Sequence, residues 1–352
     1  MYRKGRITRS LTSVIIAAIV AGALMLTACS SKDDKKKNEI EIGVSVYNEH
    51  DTFVSQLMDY FDECVAEHNA SSDINIVVTT YNAAGSQLTQ NSQVEEMIDR
   101  GCDVICVNLV DRTDTSMIIE KAREANVPVI FFNREPVSAD LQRWNRLYYI
   151  GGDAAESGML QAQTAAEAIS SVPGSDRNGD GRIQYVMLEG EAGHQDAIVR
   201  SEVSVNTLIN MGIDLDRLTS VTANWNRNQA ATRMSQIIDD YGDDIELVIA
   251  NNDDMALGAI DEYESRGIAL EDRPIIVGID GTDVGLEAVD EGLMFGTVYN
   301  DKEGQAEALL ELAIAASDDT AEAIDRIASE SGRDIRIPYA VITRENVSEF
   351  MN

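Results

Sequence analysis

The feature that most constrains the fold of this chain is its repeated alternation of short apolar runs with longer amphipathic segments. The first apolar run covers 40–47, and apolar residues then recur at helical spacing from Phe53 to His68. Further strand-like runs follow at 74–81, 104–107, 129–132 and 147–150. Helical patterns of about 10–15 residues lie between the runs, and this alternation predicts a parallel, doubly wound α/β sheet.

The alternation breaks at Gly151 and Gly152 and then starts again. Predicted strands of the second half are 183–188, 218–223, 247–250, 275–279 and 297–299. Predicted helices are 113–126 in the first half and 153–171, 196–211, 229–241, 254–266, 283–291 and 302–316 in the second. The two halves share an architecture without sharing sequence, so we expect two doubly wound parallel-sheet lobes.

The amino terminus has the pattern of a secretory signal. Four basic residues precede an apolar run at 11–26, which is short for a membrane span of about 20 residues. Leu26-Thr27-Ala28-Cys29 then resembles a bacterial lipobox, which implies cleavage after residue 28 and a lipid on Cys29. The polar stretch 29–39 would be the tether of an extracytoplasmic body. A plain signal peptide with an incidental cysteine is the alternative.

The charge of the chain excludes some partners. The formal net charge is −33, and removal of residues 1–28, with four basic and no acidic groups, leaves −37. A body this acidic is unsuited to nucleic acid or anionic lipid surfaces.

One stretch, 193–200, places an imidazole, a carboxylate and a guanidinium where a predicted strand passes into a helix. Ligands of open α/β sheets bind beside the carboxyl ends of strands. His194, Asp196 and Arg200 could therefore form part of a ligand site. The alternative is that Asp196 caps the helix and pairs with Arg200 four residues later.

Polar and aromatic side chains also follow the other predicted strands. These residues are Asp51, Phe53, Asn133-Arg134-Glu135, Asn224-Trp225-Asn226, Asn251-Asn252-Asp253, Asp280 and Asn300-Asp301. Each polar one could be a turn or cap residue. As a set, however, they combine carboxylates and amides, which pair with vicinal hydroxyls, with flat rings that suit sugar faces. This combination indicates a site for a neutral polyol.

A second polar cluster lies in the loop 176–184. Oxygen-bearing side chains stand at positions 1, 3, 5 and 9 of a calcium-type loop, with glycine at position 6. A full EF-hand would have glutamate at position 12, where this chain has Met187. The loop is therefore either a polar turn or a calcium loop whose last carboxylate comes from elsewhere in the chain.

Motifs of the common enzyme classes do not appear in the sequence. P-loop, GxSxG, HExxH and strand-linked GxGxxG patterns are absent. A glycosidase needs two opposed carboxylates, and Asp51, Asp196 and Asp280 leave that alternative open. We expect a binding protein rather than an enzyme.

Five motifs together carry a family resemblance. They are Tyr47…Asp51-Thr52-Phe53, the segment 129–136 (VIFFNREP), Gly193-His194-Gln195-Asp196…Arg200, the segment 249–253 (IANND) and the segment 296–301 (GTVYND). From about residue 42 to 350 the chain resembles the galactose/glucose-binding group of periplasmic binding proteins, the substrate-binding components of sugar ABC importers.

The resemblance implies a set of site residues. Sugar contacts would be Asp51, Phe53, Asn133, His194, Asp196, Arg200, Trp225, Asn252, Asp280 and Asn300. Phe53 and Trp225 would sandwich the ring, and Asp51 would meet the hydroxyl that differs between glucose and galactose. Structural Ca²⁺ would be held by Asp176, Asn178, Asp180, the carbonyl of Arg182, Gln184 and Glu246. Arg112 and Gly152 depart from the family pattern.

The resemblance also implies a type I periplasmic-binding fold with a three-strand hinge near 151–153, 299–301 and 336–339. The first lobe would comprise 40–150 plus 302–335, and the second 154–299 plus 339–352. The expected protein is a monomeric lipoprotein that delivers D-galactose or D-glucose to an ABC permease and does no chemistry. Another monosaccharide, or a sensory role that feeds a chemoreceptor or kinase, stays open.

Overall fold

Short, fully buried apolar strands form the centre of each half of the molecule. A computed structural model describes residues 38–318 and 333–351. The signal 1–28, Cys29 and the tether up to residue 37 lie outside the described residues, as does 319–332. Strands such as Val104–Val107, Val129–Phe132 and Leu247–Ala250 are buried along their whole length. This is the property of parallel strands covered by helices on both faces.

The first half of the chain forms one sheet with its helices. Its strands are β1 (Glu39–Val46), β2 (Asn75–Asn82), β3 (Val104–Val107), β4 (Val129–Phe132) and β5 (Leu147–Gly151). Its helices are α1 (Thr52–Ser71), α2 (Gln87–Arg100), α3 (Ser116–Ala125) and α4 (Ser138–Leu141). The strands run parallel in the order β2-β1-β3-β4-β5.

The second half repeats the plan. Its strands are β6 (Ile183–Glu189), β7 (Leu215–Thr222), β8 (Leu247–Ala250), β9 (Ile275–Val277) and β10 (Gly296–Asn300). Its helices are α5 (Ala154–Ser171), α6 (Gln195–Asn210), α7 (Arg227–Tyr241), α8 (Asp253–Ser265) and α9 (Asp283–Asp290). The strands again run parallel, in the order β7-β6-β8-β9-β10.

The last elements return to both lobes. Helix α10 (Lys302–Ser317) packs on the first lobe, and strand β11 (Asp334–Arg336) pairs with β5 at the edge of the first sheet. Strand β12 (Tyr339–Thr343) then pairs antiparallel with β10 of the second sheet. The chain therefore passes between the lobes three times: between β5 and α5, between β10 and α10, and between β11 and β12. These three connecting segments form the hinge between the two lobes.

Local sequence explains how the strand ends are held. Asp51 caps α1 by accepting a hydrogen bond from the Val54 amide at 2.9 Å. The buried face of α1 then places Phe53, Leu57 and Phe61 in the core against β1. Burial of each such side chain stabilises the fold by about 1.5–3 kcal/mol, so the capped helix start at the cleft is anchored by the core behind it.

Two expectations about secondary structure need correction. The helix expected at 113–126 begins only at Ser116, because Asp111 accepts hydrogen bonds from the amide and hydroxyl of Thr113 and forms a turn there instead. Strands β11 and β12 were not expected from the apolar pattern. Both are short, and only their pairing with β5 and β10 makes them strands.

No helix within residues 38–318 and 333–351 is long and apolar enough to cross a membrane.

A candidate ligand site between the two lobes

The polar strand-end residues meet in a cleft between the lobes. A cavity there is lined by Tyr47, Asp51, Phe53, Asn133, Arg134, His194, Asp196, Arg200, Trp225, Asn252 and Asp280. Nine of the ten residues expected to contact sugar are brought together here.

Arg200 is the centre of the second-lobe side of the cleft. Its guanidinium donates to Ser157 Oγ at 3.1 Å, to the Asn251 carbonyl at 3.0 Å and to the Tyr339 hydroxyl at 3.2 Å. It also faces the carboxylates of Asp196 at 3.3 Å and Asp280 at 3.9 Å. The residue is only 3% exposed, so its position is fixed before any ligand arrives.

The start of α6 differs from the helix cap considered above. His194, rather than Asp196, is the cap, because its Nδ1 accepts a hydrogen bond from the Asp196 amide at 3.1 Å. Asp196 does pair with Arg200, as expected. Burial lowers the pKa of His194 well below its usual value, and the nearby guanidinium groups of Arg134 and Arg200 act in the same direction. The cleft therefore presents a neutral imidazole.

Trp225 packs edge-on against the His194 ring, with 5.2 Å between ring centroids. Its backbone has φ = 60°, a left-handed conformation that bulky residues rarely adopt. The indole lies over Gly190, where an added Cβ would stand 2.1 Å from the ring. Asn133 (φ 58°) and Asp280 (φ 128°) share this uncommon backbone region. Non-glycine residues held in this region cluster at ligand sites.

Asn300 is the expected contact that does not line the cavity. It is 3% exposed and lies behind Asp280, whose carboxylate it hydrogen-bonds, while its own Oδ1 accepts from Gln305 at 2.7 Å. Burial raises the pKa of Asp280 well above its usual value, against the lowering effect of Arg200. The arrangement makes Asn300 a support of Asp280 in this structure.

The first-lobe side of the cleft is built around Asp51 and Arg134. The Tyr47 hydroxyl donates to Asp51 Oδ2 at 2.5 Å, while Asp51 Oδ1 caps α1. The Arg134 guanidinium lies 3.4 Å from the centroid of the Tyr47 ring and donates to the Val110 carbonyl at 3.2 Å. It also reaches the second lobe, where it pairs with Glu191 at 2.9 Å.

Tyr47 and Arg134 are the two lining residues that were not expected as contacts. Both lie inside motifs that the sequence did present, Tyr47 just after β1 and Arg134 just after Asn133. Arg134 belongs to the set of strand-end residues described above, although it was not assigned a sugar contact. The same signal could have found Tyr47, because it follows β1 at the carboxyl end of that strand. Among the remaining residues, Asn252 caps α8 through its Oδ1, and Asn133 accepts a hydrogen bond from Asn108 at 3.0 Å.

The loop expected to hold calcium lies at the opposite end of the second sheet. Glu246, 62 residues along from Gln184, is 2% exposed and accepts from the amides of Arg177 and Gln184 at 2.6 and 3.0 Å. Asp176 accepts from the amides of Gly179 and Gly181 at 2.7 and 2.9 Å. The structure thus brings the remote carboxylate to the loop.

The donor chemistry of this loop suits a hard cation, since its groups are carboxylate, amide and carbonyl oxygens. Within the described part of the chain, however, no group of three or more His, Cys, Asp or Glu side chains converges as metal ligands. A metal here would therefore depend on the amide oxygens of Asn178 and Gln184 and the Arg182 carbonyl.

The two-lobe fold and the interlobe cleft define a class of protein. The chain belongs to the periplasmic binding protein family: the family model described as "Periplasmic binding protein domain" matches residues 42–321. It is a solute-binding protein of this extracytoplasmic family and not an enzyme.

Individual relatives agree with this assignment. The chain is 31% identical, over 97% of its length and 99% of the relative, to a D-galactose/methyl-galactoside binding periplasmic protein of Haemophilus influenzae. It is 31% identical, over 74% of the chain and 78% of the relative, to a putative rhizopine-binding protein of Rhizobium meliloti. An ABC transporter solute-binding protein of Bacillus halodurans, solved with myo-inositol, is 30% identical with a TM-score of 0.73, covering 89% of this chain and 97% of that one.

Proposed function

We propose that this protein is the sugar-binding component of an ABC importer and that it binds D-galactose or D-glucose between its lobes. The observation that carries the proposal is the lining of the cleft, where carboxylates, amides and a guanidinium from both lobes accompany Phe53 and Trp225. Groups that donate and accept in pairs match the vicinal hydroxyls of a sugar. Aromatic rings supply the flat apolar surface that its C–H faces need.

Charge in the cleft supports a neutral ligand. Its two guanidinium groups, Arg134 and Arg200, are already opposed by carboxylates of Glu191, Asp196 and Asp280. Asp51 adds a further carboxylate. A phosphate would meet acceptors rather than uncompensated cations. The hydroxyl groups of a sugar can donate hydrogen bonds to the carboxylates and accept hydrogen bonds from the guanidinium groups.

The choice of galactose or glucose rests on the galactoside-binding relative and on Asp51. That relative matches nearly the whole chain, whereas the solved structure of the Bacillus halodurans relative holds myo-inositol, a cyclic polyol of similar size. The family resemblance implies that Asp51 meets the hydroxyl that distinguishes galactose from glucose. Another monosaccharide, or a sensory role beside transport, is the alternative.

Titration calorimetry of the purified protein tests the proposal. D-Galactose and D-glucose should each give saturable binding near one site per chain, tighter than D-ribose, D-xylose or myo-inositol. A preference for myo-inositol or a pentose would overturn the hexose assignment and keep the transport class. No heat with any of these sugars would remove sugar binding altogether.

Closure of the lobes is the step that would be coupled to transport. A ligand that contacts both faces of the cleft favours the closed arrangement because only that arrangement offers all its contacts. The three chain crossings between β5 and α5, β10 and α10, and β11 and β12 leave the two sheets otherwise unpaired with each other. We therefore propose hinge closure on sugar binding, with the closed form presented to the permease.

We further propose that the loop around Asp176 holds a structural Ca²⁺. The buried carboxylate of Glu246 supplies the charge that Met187 lacks, and it ties the loop to the start of β8, because Glu246 directly precedes Leu247. A chelator should lower the melting temperature of the wild-type protein by several degrees, since loss of a ligand of the folded state destabilises it.

The matched variants for calcium are Glu246→Gln and the exposed Asp243→Asn. Glu246→Gln should abolish the chelator effect, and Asp243→Asn should preserve it. A wild-type protein whose melting temperature is unmoved by chelator and by added Ca²⁺ would leave the loop as a polar turn.

Finally, we propose that Cys29 carries the lipid that anchors the protein to the outer face of the cell membrane. The support is the lipobox-like sequence before it, together with the extracytoplasmic family of the body. In cells, the wild-type protein should fractionate with membranes and Cys29→Ala should not, while Ser30→Ala should behave as wild type. Membrane retention of Cys29→Ala would contradict the anchor.

A further inference from the structure

Four side chains connect the hinge with the rim of the cleft, outside the cavity itself. They are Arg112 after β3, Glu135 after β4, Gln195 at the start of α6 and Arg336 at the end of β11; we refer to them as the hinge-to-rim network. Gln195 belongs to the second lobe and the other three to the first. None of the four lines the cavity.

Gln195 is bonded at both ends of its amide to the other lobe. Its Oε1 accepts from Arg112 Nη2 in a short contact, and its Nε2 donates to Glu135 Oε2 at 3.1 Å. A primary amide has an acceptor oxygen and a donor NH2 group, and here a guanidinium and a carboxylate match them. Both partners lie in the first lobe, so both bonds cross the cleft.

The first-lobe partners are held in place by each other and by the hinge. Arg112 Nε donates to the Glu135 carbonyl at 3.0 Å. Arg336 donates to both carboxylate oxygens of Glu135 at 2.8 and 3.1 Å and to the Gly152 carbonyl at 3.0 Å. Gly152 lies in the first crossing and Arg336 just before the third, so two of the three crossings are tied to Glu135.

We propose that the hinge-to-rim network is a set of positioning residues that determines sugar affinity by stabilising the closed arrangement of the lobes. Gln195 lies between His194 and Asp196, which line the cavity, so holding its amide fixes the start of α6 against the first lobe. The network can form only when the lobes are together, because its two halves belong to different lobes. It therefore adds to the affinity of the closed state without touching the sugar.

This inference rests on the proposed function because it needs a ligand that closes the cleft. The size of the effect follows from two interlobe hydrogen bonds to charged partners, each worth about 1 kcal/mol or more. Loss of Gln195 or Arg112 side-chain bonding should therefore raise Kd by about tenfold or more. The rise should come from faster dissociation, since the network acts after encounter.

The test compares Arg112→Ala and Gln195→Ala with Arg100→Ala. Arg100 is a first-lobe arginine whose side chain bonds to Tyr81 and Glu96 of the same lobe. Kd is measured by calorimetry with D-galactose, and the dissociation rate by stopped-flow tryptophan fluorescence. We expect both network variants to bind about tenfold more weakly with melting temperatures of the sugar-free protein unchanged, and Arg100→Ala to match wild type.

The double variant provides a second readout. Because Arg112 and Gln195 share one bond, Arg112→Ala/Gln195→Ala should weaken binding by less than the product of the two single effects. Wild-type Kd in both single variants would overturn the network. If galactose fails to bind wild type and myo-inositol binds, the hexose assignment fails while the ratio of variant to wild-type Kd for myo-inositol still tests the network. If neither sugar binds wild type, the sugar-binding proposal and this role for the network both fall.

Discussion

The two faces of the cleft are built differently although the two lobes share one plan. On the second-lobe face, every partner of Arg200 comes from the same lobe, and the guanidinium is almost wholly buried. On the first-lobe face, Arg134 stacks on Tyr47 but also reaches Glu191 across the cleft. The second-lobe face is therefore complete by itself, whereas the first-lobe face is completed by its neighbour.

This difference indicates an order of events. A preorganised face binds without having to fix its own side chains, because those side chains are already held. The sugar would therefore meet the second lobe first, and the first lobe would close over it. Substitutions of matched residues on the two faces would test this difference.

Arg200→Met should have the largest effect. It removes the cation between Asp196 and Asp280 and leaves uncompensated charge in a buried site, which costs about 3–5 kcal/mol. We expect loss of sugar binding by more than about 100-fold, together with a lower melting temperature of the sugar-free protein.

Arg134→Met is the matched first-lobe variant. It should weaken sugar binding while leaving the sugar-free melting temperature within about 2 °C of wild type, because its partner Glu191 can return to water. Equal destabilisation by the two substitutions, measured by calorimetry, would show that the two faces are equally preorganised and end the comparison.

The aromatic residues give the next effect. Trp225→Ala should weaken binding by about 10-fold or more, since it removes a flat apolar surface from the second-lobe face. Trp225→Phe should recover most of the affinity.

Phe53, in contrast, is 4% exposed and packs in the first-lobe core, so Phe53→Ala should lower stability by about 3–5 kcal/mol as well as affinity. Titration and thermal melts separate the two outcomes; unchanged affinity in Trp225→Ala would remove the indole from the site.

Asp51→Asn tests discrimination on the first-lobe face. Asparagine also caps helices, so α1 should keep its start. Loss of one acceptor should weaken binding of galactose and glucose by about tenfold and change their ratio. Tyr47→Phe, which removes a hydroxyl bonded to Asp51 and Arg134, should have a smaller effect. An unchanged galactose-to-glucose ratio in Asp51→Asn would place the discriminating group elsewhere.

Both sheets and most of the cleft could be predicted from the sequence. The strand-to-helix alternation predicted both sheets, because buried parallel strands read as continuous apolar runs. Side-chain type at strand ends predicted most of the cleft. It could not predict that Asn300 lies behind Asp280, or that His194 rather than Asp196 caps α6. His194 and Asp196 can both cap a helix, and which of them does so depends on backbone angles that tertiary packing sets.

The hinge-to-rim network was missed for a related reason. Arg112 and Gln195 are 83 residues apart in the chain. Only the closed arrangement of the lobes brings them together. Contacts between lobes depend on hinge geometry, which no local pattern encodes.

The smallest expected effect concerns Asp253, a buried group behind the second-lobe face. Its carboxylate accepts from the Thr297 hydroxyl at 2.6 Å and the Thr282 amide at 2.9 Å, and burial raises its pKa to about 7. In the unfolded chain the same group ionises near its ordinary value of about 4. Between these values the folded state binds more protons than the unfolded state, so stability should fall as pH rises from about 4 to about 7.

Asp253→Asn should reduce this pH dependence, because the amide does not titrate, while the exposed Asp114→Asn should leave it unchanged. Thermal melts between pH 5 and 8 measure the slope. The wild-type melting temperature should decline by a few degrees more than that of Asp253→Asn over this range, and part of the decline should remain in the variant because Asp280 titrates in the same direction. Identical slopes in the two proteins would mean that Asp253 is ionised throughout, and that its hydrogen bonds from Thr282 and Thr297 outweigh its burial. The second-lobe face would then keep the buried Asp253 carboxylate charged over this whole pH range, which would make it still more preorganised than the first-lobe face.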